Sequence, residues 1–205
     1  SQGLSSNSLS LLKLLSEIQK PDIELEEIEK LISQNVSLSY KLFRCVNSAT
    51  FAIKNKMTSV NQAVVYLGIQ RLKNWISLLA MSGNSNKPSE LIQVGLVRAK
   101  MCELIAIERN FPDKDSYFIV GLFSILDAIL DQPLDKILQK MPLDDDLNSA
   151  LLEREGDKGK ALWCSICCEQ CIWDGIDYPD INQDRIYYLY HEAMNWSRQS
   201  IAEFN

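Results

Sequence analysis

The sequence predicts an all-α protein, a multi-helix bundle made of two closely packed helical subdomains. Apolar residues recur at helical spacing through most of the chain. No segment alternates apolar and polar residues between hairpin turns, which is the pattern of a half-buried strand. A stretch rich in Ser, Asn, Gly and Pro, residues 82–90, interrupts the helical pattern. It divides an N-terminal helical subdomain, residues 1–83, from a C-terminal helical bundle, residues 84–205.

Five helices are predicted in the N-terminal subdomain. The first contains a leucine stripe that stops at Pro21, because proline interrupts a helix. The second and third, over residues 22–35 and 37–52, each place their apolar residues on one face. The fourth begins with a capping box in which Ser59 and Gln62 satisfy backbone amides, and the fifth follows directly after it.

The C-terminal bundle is predicted to form around residues 116–130. This segment, SYFIVGLFSILDAIL, is apolar on almost every face and is shorter than the roughly 20 residues that cross a bilayer. A long helix, about residues 90–109, precedes it. Two short helices then begin at Pro133 and Pro142, which occupy favoured first-turn positions. Segments rich in cysteine and in tyrosine follow them.

The charge of the chain limits its partners. Its 205 residues have a net charge of −6 and a pI of about 4.9. Such a surface repels phosphate backbones and anionic lipids, so we expect neither nucleic acid nor a membrane as a partner. No secretion leader is recognisable, so we expect a cytoplasmic location. The chain begins Ser-Gln-Gly rather than with methionine, which favours a fragment of a longer protein.

Four of the six cysteines lie in one short segment, CSICCEQC, residues 164–171. Cys164, Cys167, Cys168 and Cys171 have the i, i+3, i+4, i+7 spacing of one helix face. The first and last would lie about 10 Å apart along the helix axis, whereas a zinc site needs all four thiolates about 2.3 Å from one ion. Free cysteine packs as a small hydrophobic side chain, so we interpret the segment as core. A redox or metal sensor is the alternative.

Catalytic motifs are absent from the sequence. It contains no GxSxG, GxxxxGK[ST] or GxGxxG pattern, and its only histidine, His191, lies among the tyrosines of the last predicted helix. The run Asp144–Asp146 is interpreted as first-turn carboxylates that interact with a helix dipole. Arg71 and Lys73, next to Trp75, are a weak nucleic-acid signal that the acidic net charge opposes. We therefore predict no catalytic residue, no metal ligand and no cofactor.

The order of these segments resembles the HDOD domain, a bacterial signalling module related to HD-type phosphohydrolases. The resemblance lies in LLKLLSEIQKPDIELEEIEKLISQNVSLSYKLFRCVNSATF followed by SVNQAVVYLGIQRLKNW, and it extends through GLFSILDAILDQPLDKIL to about residue 172. The second half resembles the branch of the family that follows an EAL domain. EAL domains hydrolyse the bacterial second messenger cyclic di-GMP. The resemblance implies an HD-domain-like bundle and a place in cyclic di-GMP signalling.

The resemblance also identifies where an HD enzyme would bind its metal. HD enzymes resemble GLLHDIGK where this chain has GLFSILD, residues 121–127. Ser124 and Ile125 therefore occupy the His and Asp positions, and neither supplies the ligands of a metal ion that activates water. We expect a domain that is not an enzyme, although a parent EAL domain would be a cyclic di-GMP phosphodiesterase.

The expected function is a non-catalytic regulatory or protein-interaction module, the C-terminal half of an EAL-containing protein. Its expected partners are another protein, the adjacent signalling domain or a second copy of the chain. The last helix, with three tyrosines and Trp196, either packs on the core or presents a partner surface. The alternative function is a nucleotide phosphohydrolase with an atypical metal site at Asp127 and Asp131, which lie four residues apart on one helix face.

Asn47 and Ser48 form a step that contributes to the resemblance. Both residue types satisfy free backbone groups at helix ends, so a structural cap is the favoured interpretation. An interaction site is the alternative, and these two residues are the first candidates for it.

Overall fold

The structure is a computed structural model that describes residues 6–47, 57–83 and 87–204. In these ranges it contains twelve α-helices, one 3₁₀ turn and a single isolated antiparallel bridge between Tyr178 and Ile181. The predicted all-α class is confirmed. None of the described helices is both long enough and apolar enough to cross a bilayer.

Helix α5 lies at the centre of the N-terminal half. Every residue from Leu72 to Leu79 is buried, because α1, α3, α4, α6 and α7 all pack against this helix. The boundary proposed at residue 83 stays a prediction. The helices of this half are α1 (Ser6–Ile18), α2 (Leu25–Ser33), α3 (Val36–Val46), α4 (Val60–Leu67) and α5 (Ile69–Ser82).

Short polar side chains begin two of these helices. Asn35 accepts a hydrogen bond from the amide of Leu38 at 3.0 Å and so caps α3. Ser59 caps α4 as predicted, since its hydroxyl accepts from the amide of Gln62 at 3.2 Å. Gln62 in turn accepts from the amide of Thr58 at 2.8 Å, one residue before the partner that the predicted capping box requires.

The C-terminal half is built on the close pair α6 and α7. Gly121 on α7 lies directly against α6, and a Cβ there would overlap the backbone of Arg98 and Ala99. Helices α11 and α12 also pack on α6. The elements of this half are α6 (Ser89–Glu108), α7 (Lys114–Phe123), α8 (Leu126–Leu130), α9 (Leu134–Leu138), α10 (Asp145–Leu152), α11 (Gly156–Gln170), the 3₁₀ turn Trp173–Gly175 and α12 (Gln183–Phe204).

Two predicted elements differ from the structure. The single helix expected over residues 116–130 ends at Phe123, because the Ser124 hydroxyl donates to the carbonyl of Gly121 at 2.7 Å and the chain turns into the separate helix α8. The helix expected to begin at Pro142 begins at Asp145 instead. Its start is fixed by Asp144, whose carboxylate accepts from the amide of Leu147 at 2.8 Å.

Candidate functional site

The degenerate HD positions lie where α7 ends. Ser124 and Ile125 are both buried. Ile125 packs into a recess of α6 at Gly95, where a Cβ would lie only 2.6 Å from the end of the isoleucine side chain. The Ser124 hydroxyl accepts a hydrogen bond from Arg98 at 3.2 Å while it donates to Gly121. An apolar contact and a hydroxyl therefore occupy the two positions.

A bidentate ion pair lies beside Ser124. Arg98 on α6 donates to both carboxylate oxygens of Glu169 on α11, through Nε and Nη2, each at 2.8 Å. The side chain of Arg98 is 14% exposed and that of Glu169 is 26% exposed, so water screens the pair only in part. Three helices are thus joined at one point. We call this the closed end of α7, defined by Arg98, Ser124 and Glu169.

A second guanidinium lies near the closed end. Burial, and then the charge of Arg98, lower the pKa of Arg154 from its ordinary value. Arg154 donates to the carbonyls of Ala150 and Leu151, at the C-terminal end of α10, where a cation is favourable. Both arginines therefore have structural partners.

Asp127 and Asp131, the carboxylates of the predicted atypical metal site, have separate partners. Asp127 accepts from the amide of Ala128 at 2.8 Å. Asp131 has a left-handed backbone conformation at the end of α8, and its largely exposed carboxylate pairs with Lys87 at 2.6 Å. In residues 6–47, 57–83 and 87–204 there is no group of three or more His, Cys, Asp or Glu side chains placed to bind a metal ion.

The cysteine segment forms part of the core, with one exception. Cys164, Cys167 and Cys168 are buried on α11, as predicted. Cys171 is exposed, because the helix ends there with a left-handed residue and its side chain leaves the face. A hydrogen bond to Cys168 and burial raise the pKa of Cys164. Burial raises the pKa of Cys102 on α6 to about 12.

Asn47 joins the two ends of the segment 48–56. Its amide oxygen accepts from the backbone of Met57 at 2.6 Å, and its amide nitrogen donates to the carbonyls of Met57 and Phe43 at 2.8 and 2.7 Å. This geometry gives Asn47 a structural task. Ser48 lies outside the described residues, and the interaction role of the pair stays a prediction.

The basic pair on α5 is bound within the protein. Arg71 pairs with Glu103 and Asp115 at 2.6 and 3.2 Å. Lys73 donates to the carbonyl of Lys20 at 2.9 Å, just beyond the C-terminal end of α1, and burial lowers its pKa. These contacts give both cations a role inside the fold.

The aromatic last helix packs in part on the core, and its role as a partner surface stays a prediction. Trp196 is partly buried against Trp75 and Phe118, with ring centroids 6.1 Å apart in each pair. Trp173, in the 3₁₀ turn, is 64% exposed and meets Tyr187 edge-on at 6.4 Å. With the exposed Trp163 and Ile172, it forms a surface patch. We call this the aromatic corner, defined by Trp163, Ile172, Trp173 and Tyr187.

The aromatic corner is held rigidly against α11. Gly175 of the 3₁₀ turn approaches this helix so closely that a Cβ would overlap the sulfur of Cys167 and lie 3.4 Å from the Trp163 indole nitrogen. Neither this corner nor the Arg98–Glu169 pair was identified from the sequence. Arg98 and Glu169 are 71 residues apart, and no local pattern connects them.

Comparison with protein families and curated proteins gives consistent results. The family model described as HDOD domain matches residues 4–142. A curated relative from Vibrio cholerae serotype O1, named "Cyclic di-GMP phosphodiesterase CdgJ", is 36% identical over 91% of this chain and 45% of its own length. "Uncharacterized protein YuxH" of Bacillus subtilis is 32% identical over 94% of this chain and 49% of its own length. The chain thus spans about half the length of these relatives.

Solved structures share the fold. An HDOD domain protein of unknown function from Geobacter sulfurreducens superposes with a TM-score of 0.58 at 14% identity, over 98% of this chain and 88% of its own. A structure from Shewanella amazonensis, named "Putative metal-dependent phosphohydrolase", gives a TM-score of 0.55 at 14% identity, over 100% and 92%. The predicted HD-domain-like bundle is confirmed.

The prediction that the chain is not an enzyme is contradicted by these names. The curated relative from Vibrio is named a phosphodiesterase, and one of the two solved structures is named a phosphohydrolase. The prediction rested on Ser124 and Ile125 at the HD positions, on the absence of other catalytic motifs and on the single histidine of the chain. Two substituted positions describe one site, whereas the activity of a protein depends on every site it contains, including those in other parts of a longer chain.

Proposed function

Because the chain belongs to the HDOD domain family, we propose that it is one part of a cyclic di-GMP phosphodiesterase and works there as the regulatory and protein-interaction module. Hydrolysis would be the task of an EAL domain in the remainder of the longer protein. The partner of this module would be that neighbouring domain.

The main support for this proposal is the curated relative from Vibrio cholerae that is named a cyclic di-GMP phosphodiesterase. The match covers nearly all of this chain and less than half of the relative. The part of the relative outside the match is long enough for a division of tasks, with regulation in one part and hydrolysis in the other.

The closed end of α7 fits a regulatory role. Arg98 fixes α6 to α7 through Ser124 and to α11 through Glu169. Such a joint holds several helices in one arrangement, and a module that transmits a signal needs elements with defined arrangements.

The aromatic corner is the surface that we assign to the neighbouring domain. Tryptophan and tyrosine are the residues that contribute most to the binding energy of protein interfaces. Here Trp173 is largely exposed on a turn that Gly175 fixes against α11, so little conformational entropy is lost when a partner covers it. About half of each curated relative lies outside the match, and in our proposal the corresponding part of the longer protein covers this surface.

The test is cyclic di-GMP hydrolysis by the longer protein that contains this chain. We expect Trp173→Ala or Trp163→Ala to change the rate at least about fivefold, the lower end of ordinary allosteric coupling. Leu9→Ala removes an exposed apolar side chain from α1 and serves as the matched control, with an unchanged rate. A longer protein without any hydrolysis would contradict the function. Hydrolysis that neither tryptophan variant alters would contradict the assigned surface.

A further inference from the structure

A cleft opens at the other end of α7, between α5, α6, α7 and α12. Its volume is about 190 Å³. Trp75, Phe118 and Trp196 form its apolar walls, with Trp196 edge-on to both other rings. We call it the α5–α7 cleft. A pocket for a drug-sized ligand ordinarily measures about 300–1,000 Å³, so this cleft fits one small planar group.

Four ionised side chains line the polar side of the cleft. Glu103, only 6% exposed, accepts from Arg71 at 2.6 Å and from Lys100 at 2.7 Å. Asp115 accepts from Arg71 at 3.2 Å through one carboxylate oxygen. The Lys100 ammonium also lies 5.1 Å from the centre of the Trp196 ring. Two positive and two negative groups therefore surround the space, with no net charge.

This network retains hydrogen-bonding capacity that points to a ligand. Each carboxylate oxygen has about two lone-pair sites, and an arginine has five N–H donors. Among the residues that the structure describes, none donates to the second oxygen of Asp115. The cleft adjoins the buried carboxylate of Glu103, the partly exposed carboxylate of Asp115 and three aromatic walls.

We propose that the α5–α7 cleft binds a guanine base. The guanine edge presents two adjacent donors, N1–H and the N2 amino group, beside the acceptor O6. The carboxylate of Asp115 matches the donors, and Arg71 or Lys100 matches the acceptor. The indole and phenyl walls match the planar ring, since base–aromatic stacking is favourable for every base.

The size of the cleft restricts what else it can hold. It accommodates the base alone, so the ribose and phosphates of a nucleotide would remain outside. The base would bridge α5 to α7 through Arg71 and Asp115. Binding would therefore stabilise the contact between the two helical halves. This inference rests on the proposed function, because a guanine nucleotide acts as a signal here only if the chain belongs to a cyclic di-GMP phosphodiesterase.

The chain contains four tryptophans, which makes the cleft accessible to fluorescence. Trp75 and Trp196 line the cleft, whereas Trp163 and Trp173 lie at the aromatic corner. In the variant Trp163→Phe/Trp173→Phe, the remaining signal reports on the cleft alone. We expect guanosine monophosphate and cyclic di-GMP to change this signal saturably. A tighter response to cyclic di-GMP identifies the second messenger as the source of the base, and equal responses identify the base itself.

Selectivity decides the class of ligand. We expect adenosine and cytidine monophosphates to bind at least about fivefold more weakly, the discrimination of one bidentate base contact. Asp115→Asn should remove this preference, and Lys100→Gln should weaken binding of the guanine compounds by a similar factor. Asp135→Asn, an exposed surface carboxylate on α9, is the matched control without effect. Circular dichroism confirms that each variant is folded.

Two results would overturn the proposal: no saturable change up to about 1 mM of either guanine compound, or equal affinity for all the bases. The titration uses this chain alone and does not depend on hydrolysis. The titration tests guanine binding and the hydrolysis assay tests regulation of a phosphodiesterase. Failure of one proposal can therefore be distinguished from failure of the other.

Discussion

The two ends of α7 use similar residues in different ways. At the closed end, Arg98 and Glu169 meet in a bidentate pair that also binds Ser124, and Ile125 fills the adjoining recess of α6. At the other end, Arg71 and Glu103 form an ion pair that, with Asp115, borders a cavity of about 190 Å³. Both ends link α6 and α7 to a third helix.

The two ends differ in how fully their carboxylates are paired rather than in residue type. Both oxygens of Glu169 accept from Arg98, whereas one oxygen of Asp115 accepts from Arg71. At the closed end, the polar atoms of Arg98 and Glu169 meet one another, so the pair fixes helix positions, although Glu169 also borders a cavity of about 240 Å³. In the α5–α7 cleft, the ionised groups are paired but still face open space, so a ligand can reach them. Buried charges show where a fold is held together, and a cavity beside them shows where it can also bind.

The largest effect is expected where α6 and α7 touch. Gly121→Ala places a Cβ into the backbone of Ala99, so one helix must move. We expect the free energy of unfolding to fall by about 3 kcal/mol, the upper range for overpacking. Urea unfolding measures it. Gly83→Ala is the matched control, because a Cβ there meets its nearest atom at an ordinary 3.4 Å. Equal stability of the two variants would show that the helices are not in close contact.

The ion pair of the closed end should give the next largest effect. Glu169→Gln leaves the Arg98 guanidinium partly buried without its carboxylate, and we expect a loss of about 2 kcal/mol, within the range of hydrogen bonds to charged groups. The more exposed pair Arg185–Glu108 provides the comparison, since Arg185→Gln should cost less than about 1 kcal/mol. Urea unfolding measures the loss of stability in each variant. A Glu169→Gln protein as stable as the parent would mean that the closed end does not hold the helices.

Thiol reactivity tests how tightly the core behind the closed end is packed. At pH 8 in native protein, we expect one fast-reacting thiol, Cys171, and reaction of the other five only after denaturation.

Burial raises the pKa of Cys102 from 9.0 in the unfolded chain to about 12, so its contribution to stability is present below pH 9 and is lost as the pH rises toward 12.

A disulfide-exchange reagent with an absorbing product counts the thiols. Cys171→Ser should abolish the fast phase. Two or more fast thiols in the folded protein would favour the redox alternative for this segment.

The smallest effect is expected from the carboxylates of the atypical metal site. The double variant Asp127→Asn/Asp131→Asn leaves an amide oxygen to accept from the Ala128 backbone amide and removes one exposed ion pair. We expect a change in unfolding free energy of about 0.5 kcal/mol or less and an unchanged rate of cyclic di-GMP hydrolysis by the longer protein. A rate reduced by orders of magnitude would restore these residues as catalytic candidates.

The spacing of apolar residues in the sequence predicted most of the helices but did not identify the residues that form the sites. The helical stripes identified the segments that became α1 to α5, and the cysteine spacing identified a buried face on α11. The break at Ser124 was missed, because only the structure shows that its hydroxyl binds Gly121 and ends the helix. The Arg98–Glu169 pair and the α5–α7 cleft join residues far apart in the chain, which a pattern of neighbours does not reveal.

The most direct test of the proposed function compares cyclic di-GMP hydrolysis by the longer protein with and without the residues of this chain. If the chain is its regulatory module, the rate changes at least about fivefold when the chain is removed, and hydrolysis itself persists. An identical rate in the two proteins would contradict the account, and so would the absence of hydrolysis from both.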